Sequence, residues 1–414
     1  MNAFTTLFLL VLLISFGLEW WLMRRQIAHV SMHREAVPEA FRESIALEAH
    51  QKAADYTVDK AHLAEVERFL HLAVLLLLTL GGGIEFIRQL WVGLALAPWM
   101  TGVGTIITTL LLMQVVDIPV SYYQTFVIEQ KYGFNRSSTR QFLTDLVLQT
   151  GLSLAIGVPL LAFILWIMDG VNLWWLWAWL VIMSFSIIMS WAYPTFIAPL
   201  FNQFSPLTDD GLRIRIESLL ERCGFHSQGI FVMDGSRRSS HGNAYFTGIG
   251  ESKRIVFFDT LVNALDGDEI EAVLAHELGH FKRRHVIKML IVSAVITLVG
   301  FALLGWLSGK TWFYTGLGVS EASHAVALLL FMLIAPLFSS FLQPALAYFQ
   351  RRHEFEADDF AAAHARPASL ISALVKLYRD NASTLTPDPL YSAFHYSHPP
   401  AAVRIAHLDS KVAS

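Results

Sequence analysis

Cysteine is nearly missing from this chain. Cys223 is the single one in 414 residues, so no disulfide can close within the chain and no cage of cysteine thiolates can hold a metal. That is compatible with a reducing compartment. Charge is scarce as well. Asp, Glu, Lys and Arg make up 15% of the residues, against about 25% in an average soluble domain. The formal net charge is −4, which gives no basic excess to draw a nucleic acid. Internal repeats and low-complexity tracts are also absent. What is abundant is apolar. Hydrophobic residues reach 54%, with 29 Phe and 12 Trp, and mean hydropathy is positive. Trp favours the bilayer interface. The composition is that of an integral membrane protein.

Apolar runs recur at 3–23, 69–84, 90–116, 147–168, 173–193, 286–307 and 324–348. Backbone in lipid must satisfy its own hydrogen bonds, so each run is expected to be a helix, giving seven spans. Glycines 81–83 and Pro98 interrupt the second and third. The first run lacks the basic start of a signal peptide, and its roughly 20 residues suffice to cross about 30 Å of hydrocarbon. It reads as a retained anchor. Of the 30 Lys and Arg, all but Arg88 and Lys310 fall in the larger segments 24–68, 117–146, 194–285 and 349–414 or at their membrane borders. The positive-inside rule puts these segments in the cytoplasm and the N-terminus opposite.

Segment 194–285 is the largest soluble piece. RIRIESLLERCGF predicts an amphipathic helix ended at Gly224, and GIFVMD, AYFTGI and RIVFFDTLV predict strands. DGDEIEAVLAHELGHFKRR predicts a helix, capped by Asp266 or Asp268. On it, His276 and His280 are four apart, so both imidazoles leave one face and can bind one ion. Glu277 stands beside them, placed to take a proton from a water that the metal acidifies. This is the HExxH pattern. Two solvated surface histidines are the bland alternative. Gly279 is a poor helix former; close packing of another segment beside the metal would account for it.

A catalytic zinc needs a third protein ligand, and His, Asp or Glu are the candidates once Cys is excluded. RRHEFEADDFAAAHA, 351–365, carries Glu354 and Asp358 four apart on one helical face. Glu354 is the expected ligand, with Asp358 behind a zinc histidine; Glu356 points elsewhere and is the weaker choice. The two ligand-bearing stretches flank two spans, so the chain crosses the membrane and returns between them. The spans then anchor the two halves of one site at the membrane border.

Two further stretches draw notice. HGNAYFTG, 241–248, reads as an edge strand able to pair with an extended peptide, and Asn243 is placed to bond its backbone. HYSHPPAAVR, 395–404, holds His395, His398 and Arg404; an oxyanion needs a second donor, and His398 is the choice. Glu19 and Asp117 border apolar runs and suggest a polar interior without catalysis.

Taken in order, VPEAF, KAADYTVDK, FVIEQKYGFN, APLFNQFSPL, HGNAYFTG, AHELGHFKRRH, RRHEFEADDF and HYSHPP make the chain resemble the type I CAAX prenyl endopeptidases. The resemblance implies a polytopic α-helical membrane protein with about seven transmembrane helices around a chamber. A cytosolic α+β, gluzincin-like zinc metalloprotease domain would cap it. Five spans would lie in 1–193, the protease domain in 194–285 and 349–414, and two spans between. The resemblance implies one zinc per chain on His276, His280 and Glu354, with Glu277 as general base and His398 as transition-state support. It further implies substrate contact at Asn243, Ala244 and Tyr245, and support from Asp358 and Arg404. Substrates would be peptides or proteins, lipidated or not, met in membrane lipid. The C-terminal KVAS carries no basic retrieval signal, as expected of a bacterial inner-membrane relative rather than a reticulum enzyme. The competing expectations are a heat-shock-type quality-control metalloprotease, and a transporter or metal-sensing receptor without hydrolysis. Only a hydrolase needs Glu277.

Overall fold

The fold is that of a computed structural model, in which residues 2–412 are described except 226, 228 and 248–253. Six helices are long and apolar enough to span a bilayer: Ala3–Met32, Pro98–Glu129, Thr139–Gly170, Trp174–Phe201, His285–Leu307 and His324–His364. A bent pair of helices would make a seventh if it is one span. Leu47–Leu78 and Gly83–Gly93 meet at 53°. The glycines make that bend: Gly82 has φ +77°, and a Cβ on Gly81 would sit 2.7 Å from the Leu77 carbonyl oxygen.

The expected borders of the second and third spans shift accordingly. EAHQKAADYTVDKAHLAEVERF and the apolar run after it form one 32-residue helix, about 48 Å long at ~1.5 Å per residue. It overshoots the hydrocarbon and projects beyond it. The third begins at Pro98, not at 90, because proline at the first helical position starts a helix rather than interrupting one. The last apolar helix, His324–Ser339, continues through a 3-10 turn at Ser340–Leu342 into Gln343–His364, a run of 41 residues that carries Glu354 beyond the apolar stretch without a loop.

The segments expected opposite the protease do gather at one end. Asn2 donates to the Trp312 carbonyl at 2.7 Å, Arg88 pairs with Glu321 at 2.8 Å, and His324 with Asp169 at 2.7 Å. The spanning helices pack around a core that includes Phe8, Ile84, Ile106, Leu329 and Leu330, and keep much of their apolar surface on the outside. No apolar window is more than 39% buried, and those of Trp174–Phe201 and His285–Leu307 are not buried at all.

The other half is α+β. Helix Asp210–Cys223 ends on Gly224 in the left-handed region, as expected. Four strands, β1 (Phe204–Pro206), β2 (Ile230–Met233), β3 (Ala244–Thr247) and β4 (Arg254–Phe258), form a sheet in the order β1-β2-β4-β3. β2 and β4 run parallel; the outer pairs are antiparallel. β3 is therefore an edge. β1 was not expected, being three residues long and ending on a proline. The strand read through 262 stops at Phe258, where Asp259–Ala264 turns helical. Ile216, Leu219, Phe257, Ala275, Leu278 and Leu408 are fully buried between sheet and helices. That core fixes helix Gly267–Lys282, whose N-terminus is held by a capping box of Asp266 and Glu269.

Candidate metal centre

Helix Gly267–Lys282 lies directly against helix Gln343–His364. The approach is as close as backbone allows: a Cβ on Gly279 would come within 2.9 Å of the Ala357 Cα. This contact accounts for a glycine inside a helix and brings position 354 over the histidine face. Nε2 of His276 and Nε2 of His280 lie 3.3 Å apart. Glu354 reaches them with Oε2 at 3.5 Å and Oε1 at 3.3 Å. One donor atom from each of the three falls within 4.8 Å of the others.

Behind them the packing is dry. Asp358 accepts from Arg404 at 2.6 and 3.0 Å and lies 2.9 Å from His276 Nδ1. Asp358 and Arg404 are buried, as are His276 and Glu354. Burial alone would lower the His276 pKa, but the Asp358 and Glu354 carboxylates outweigh it and push it up to about 9. The pocket favours positive charge: two carboxylates face one guanidinium. Glu354 Oε2 is buried and makes no hydrogen bond among the described residues. Two imidazole nitrogens and a carboxylate converging on one point, with an excess negative charge, fit a divalent transition metal.

Glu277 is half-buried beside His276 and makes no hydrogen bond or ion pair among the described residues. His398 comes in from the loop after helix Pro389–His395, its Nε2 3.4 Å from Glu354 Oε1. Its side chain is 62% exposed. His398 and Asn243 line the same hollow of about 780 Å³, together with Met23, Tyr56, Lys60 and Tyr396. Asn243 precedes β3; its Oδ1 accepts from the Ala244 N–H at 2.8 Å. Tyr245 does not face that hollow. It lines a separate one of about 470 Å³ with Phe204, Phe231 and Arg254.

Several supports had no sequence signal strong enough to find. Arg351 Nη1 donates to the carbonyls of Tyr396 and Ser392 at 2.8 and 3.4 Å; its place one turn before Glu354 was the only hint. Gln26 and Arg25, on the first membrane helix, hold Asp388: Gln26 Oε1 accepts from its N–H at 2.7 Å, and Arg25 pairs with its carboxylate at 2.9 Å. Glu19 pairs with Arg68 at 2.9 Å and His395 at 3.3 Å. Asp117 meets His71 at 2.7 Å. Both acids thus lie in polar contacts among the helices.

Two family models match this chain. One, described as CAAX prenyl protease N-terminal, five membrane helices, covers residues 26–203; the other, peptidase family M48, covers 206–412. The chain belongs to peptidase family M48. It is 41% identical to CAAX prenyl protease 1 of Saccharomyces cerevisiae, over 72% of this chain and 70% of that protein. It is 30% identical to the CAAX prenyl protease 1 homolog of Caenorhabditis elegans, over 97% of both. The crystal structure of S. mikatae Ste24p superposes with a TM-score of 0.91 at 33% identity, covering 99% of each chain. The M48 chain is an integral membrane metalloendopeptidase acting on peptides or proteins, and its family implies a metal. The expected transporter or receptor without hydrolysis is set aside by this membership.

Proposed function

We propose that the M48 chain cleaves CAAX-type C-terminal peptides, prenylated or not, of membrane-associated proteins. One zinc would be held by His276, His280 and Glu354. The convergence of these three side chains beside Glu277, reached by His398 from the hollow that Asn243 also lines, carries the reading. A zinc ion there would supply Lewis acidity, polarising the scissile carbonyl and making water a better nucleophile. Glu277 takes the proton from the attacking water and returns it to the leaving amine, as its adjacency to the ligands allows. His398 donates from Nε2 to the carbonyl oxygen as negative charge builds there. Asp358, fixed by Arg404, accepts from His276 Nδ1, which leaves Nε2 free to ligate. The backbone around Asn243 and Ala244, at the open edge of the sheet, pairs with extended substrate.

The protease domain would comprise 194–285 and 349–414, split by two spans and facing the cytoplasm. The clustering of Lys and Arg on that side supports this. The N-terminal match and the near-complete overlay on Ste24p favour this reading over a heat-shock-type protease. The test is incubation of purified protein with one CAAX peptide, prenylated and unprenylated, with and without chelator. Chelator-sensitive cleavage is expected, and the ratio of the two rates measures prenyl recognition. Equal processing of both would remove prenyl recognition, and cleavage indifferent to chelator would remove the metal.

A further inference from the structure

His276 is backed by Asp358. On the other side of the pocket His280 is backed by a set that the chemistry above does not use. Its Nδ1 lies 3.0 Å from Nδ1 of His285, and Nε2 of His285 lies 3.1 Å from Glu356 Oε2. The His353 ring stacks on His285, centroids 4.0 Å apart and planes 12° apart. Lys288 and Arg352 close on Glu356 at 3.7 and 3.6 Å. His285 is 3% exposed. It is the first residue of its membrane helix and follows Arg284, whose φ of 55° turns the chain out of the HExxH helix. Glu356 leaves its helix on a different face from Glu354, which disfavours it as a ligand; that face is the one His285 occupies.

The donors in this set run one way. With Nε2 of His280 turned to the metal pocket, its proton sits on Nδ1, and His285 Nδ1 must accept. A neutral imidazole accepting at Nδ1 carries its proton on Nε2, which donates to Glu356. The carboxylate only accepts and ends the chain. A metal-ligating histidine whose far nitrogen is held in this way keeps its ring orientation and its tautomer.

We propose that His285, backed by Glu356, is a positioning residue that fixes the tautomer and orientation of His280. The proposal rests on the reading of His280 as a metal ligand. The test measures zinc affinity by competition with a chromogenic chelator, zinc release rate, and melting of the metal-free protein, all on full-length protein in detergent. His280→Ala tests the ligand itself and should lose stoichiometric zinc. His285→Phe keeps a buried ring without an acceptor, and zinc should bind about 10–100-fold more weakly and leave faster. His285→Asn, whose Oδ1 can stand near the former Nδ1, should recover most of the affinity. Glu356→Gln keeps an acceptor and removes the charge, and should cost a few-fold at most. Wild-type zinc affinity in His285→Phe, with zinc lost in His280→Ala, would overturn the proposal. So would equal losses in the Phe and Asn variants together with lower metal-free melting, which marks a merely structural role. Wild-type zinc binding in His280→Ala would instead remove the ligand reading beneath it.

Discussion

His276 and His398 both face Glu354, from 3.5 and 3.4 Å, yet their surroundings are unlike. The His276 side chain is 9% exposed, with a wholly buried Asp358 behind it. The His398 side chain is 62% exposed and stands at the rim of a hollow. Their attachments differ too. The His276 side is built from helix Gly267–Lys282 and the end of the helix that continues the last apolar span, packed backbone to backbone at Gly279 and Ala357. The loop carrying His398 is tied to the first membrane helix, through Arg25 and Gln26 to Asp388 and through Glu19 to His395. Holding a cation needs a dry, rigid pocket where charges interact strongly. Handling a substrate needs an open surface. Here the membrane helix positions the open side, which places substrate chemistry next to the bilayer.

Five substitutions break or sharpen this contrast. Glu277→Gln should lower kcat by about 10²–10⁴ with zinc content unchanged, measured by peptide cleavage beside metal analysis. Asp358→Asn or Arg404→Met should strike the dry side. Each breaks the buried Asp358–Arg404 pair by removing one partner, with a cost of up to about 3–5 kcal/mol in denaturant unfolding and accompanying zinc loss. Gly279→Ala forces a methyl toward the Ala357 backbone, so thermal melting should report about 1–3 kcal/mol of destabilisation. Arg25→Met should affect only the open side. Cleavage should slow by about tenfold, as expected when a catalytic group is displaced by a fraction of an ångström, while zinc affinity holds. Zinc loss in Arg25→Met would show that the two sides are not separable.

The dry side was largely legible in the sequence because it is written in helical spacing. His276 and His280, Glu354 and Asp358, a cap at Asp266 or Asp268 and the anomaly of Gly279 are local patterns, each readable from spacing against a blander surface alternative. Six of the seven apolar runs appear as long apolar helices and the other as a bent pair; neither the bend at Gly82 nor the length of helix Leu47–Leu78 was legible, because apolar runs carry no marker of where a helix leaves lipid. The open side was less legible. Asp388 and Arg25 lie 363 positions apart, and a pairing at that range leaves no periodic trace. Tyr245 was read into the cleft by its place in HGNAYFTG, whereas it lines a different hollow. The roles of Glu356 and His285 depend on a chain reversal at Arg284 that sequence spacing does not encode.

The central claim is that two imidazoles and a carboxylate, separated in sequence by a passage through the membrane and back, hold one ion. An anomalous difference map at the zinc edge, from crystals of zinc-loaded protein, tests it most directly. The account predicts one strong peak per chain, about 2.0–2.2 Å from His276 Nε2, His280 Nε2 and a Glu354 oxygen. A zinc-replete crystal with no peak there, or with its peak away from Glu354, would contradict it.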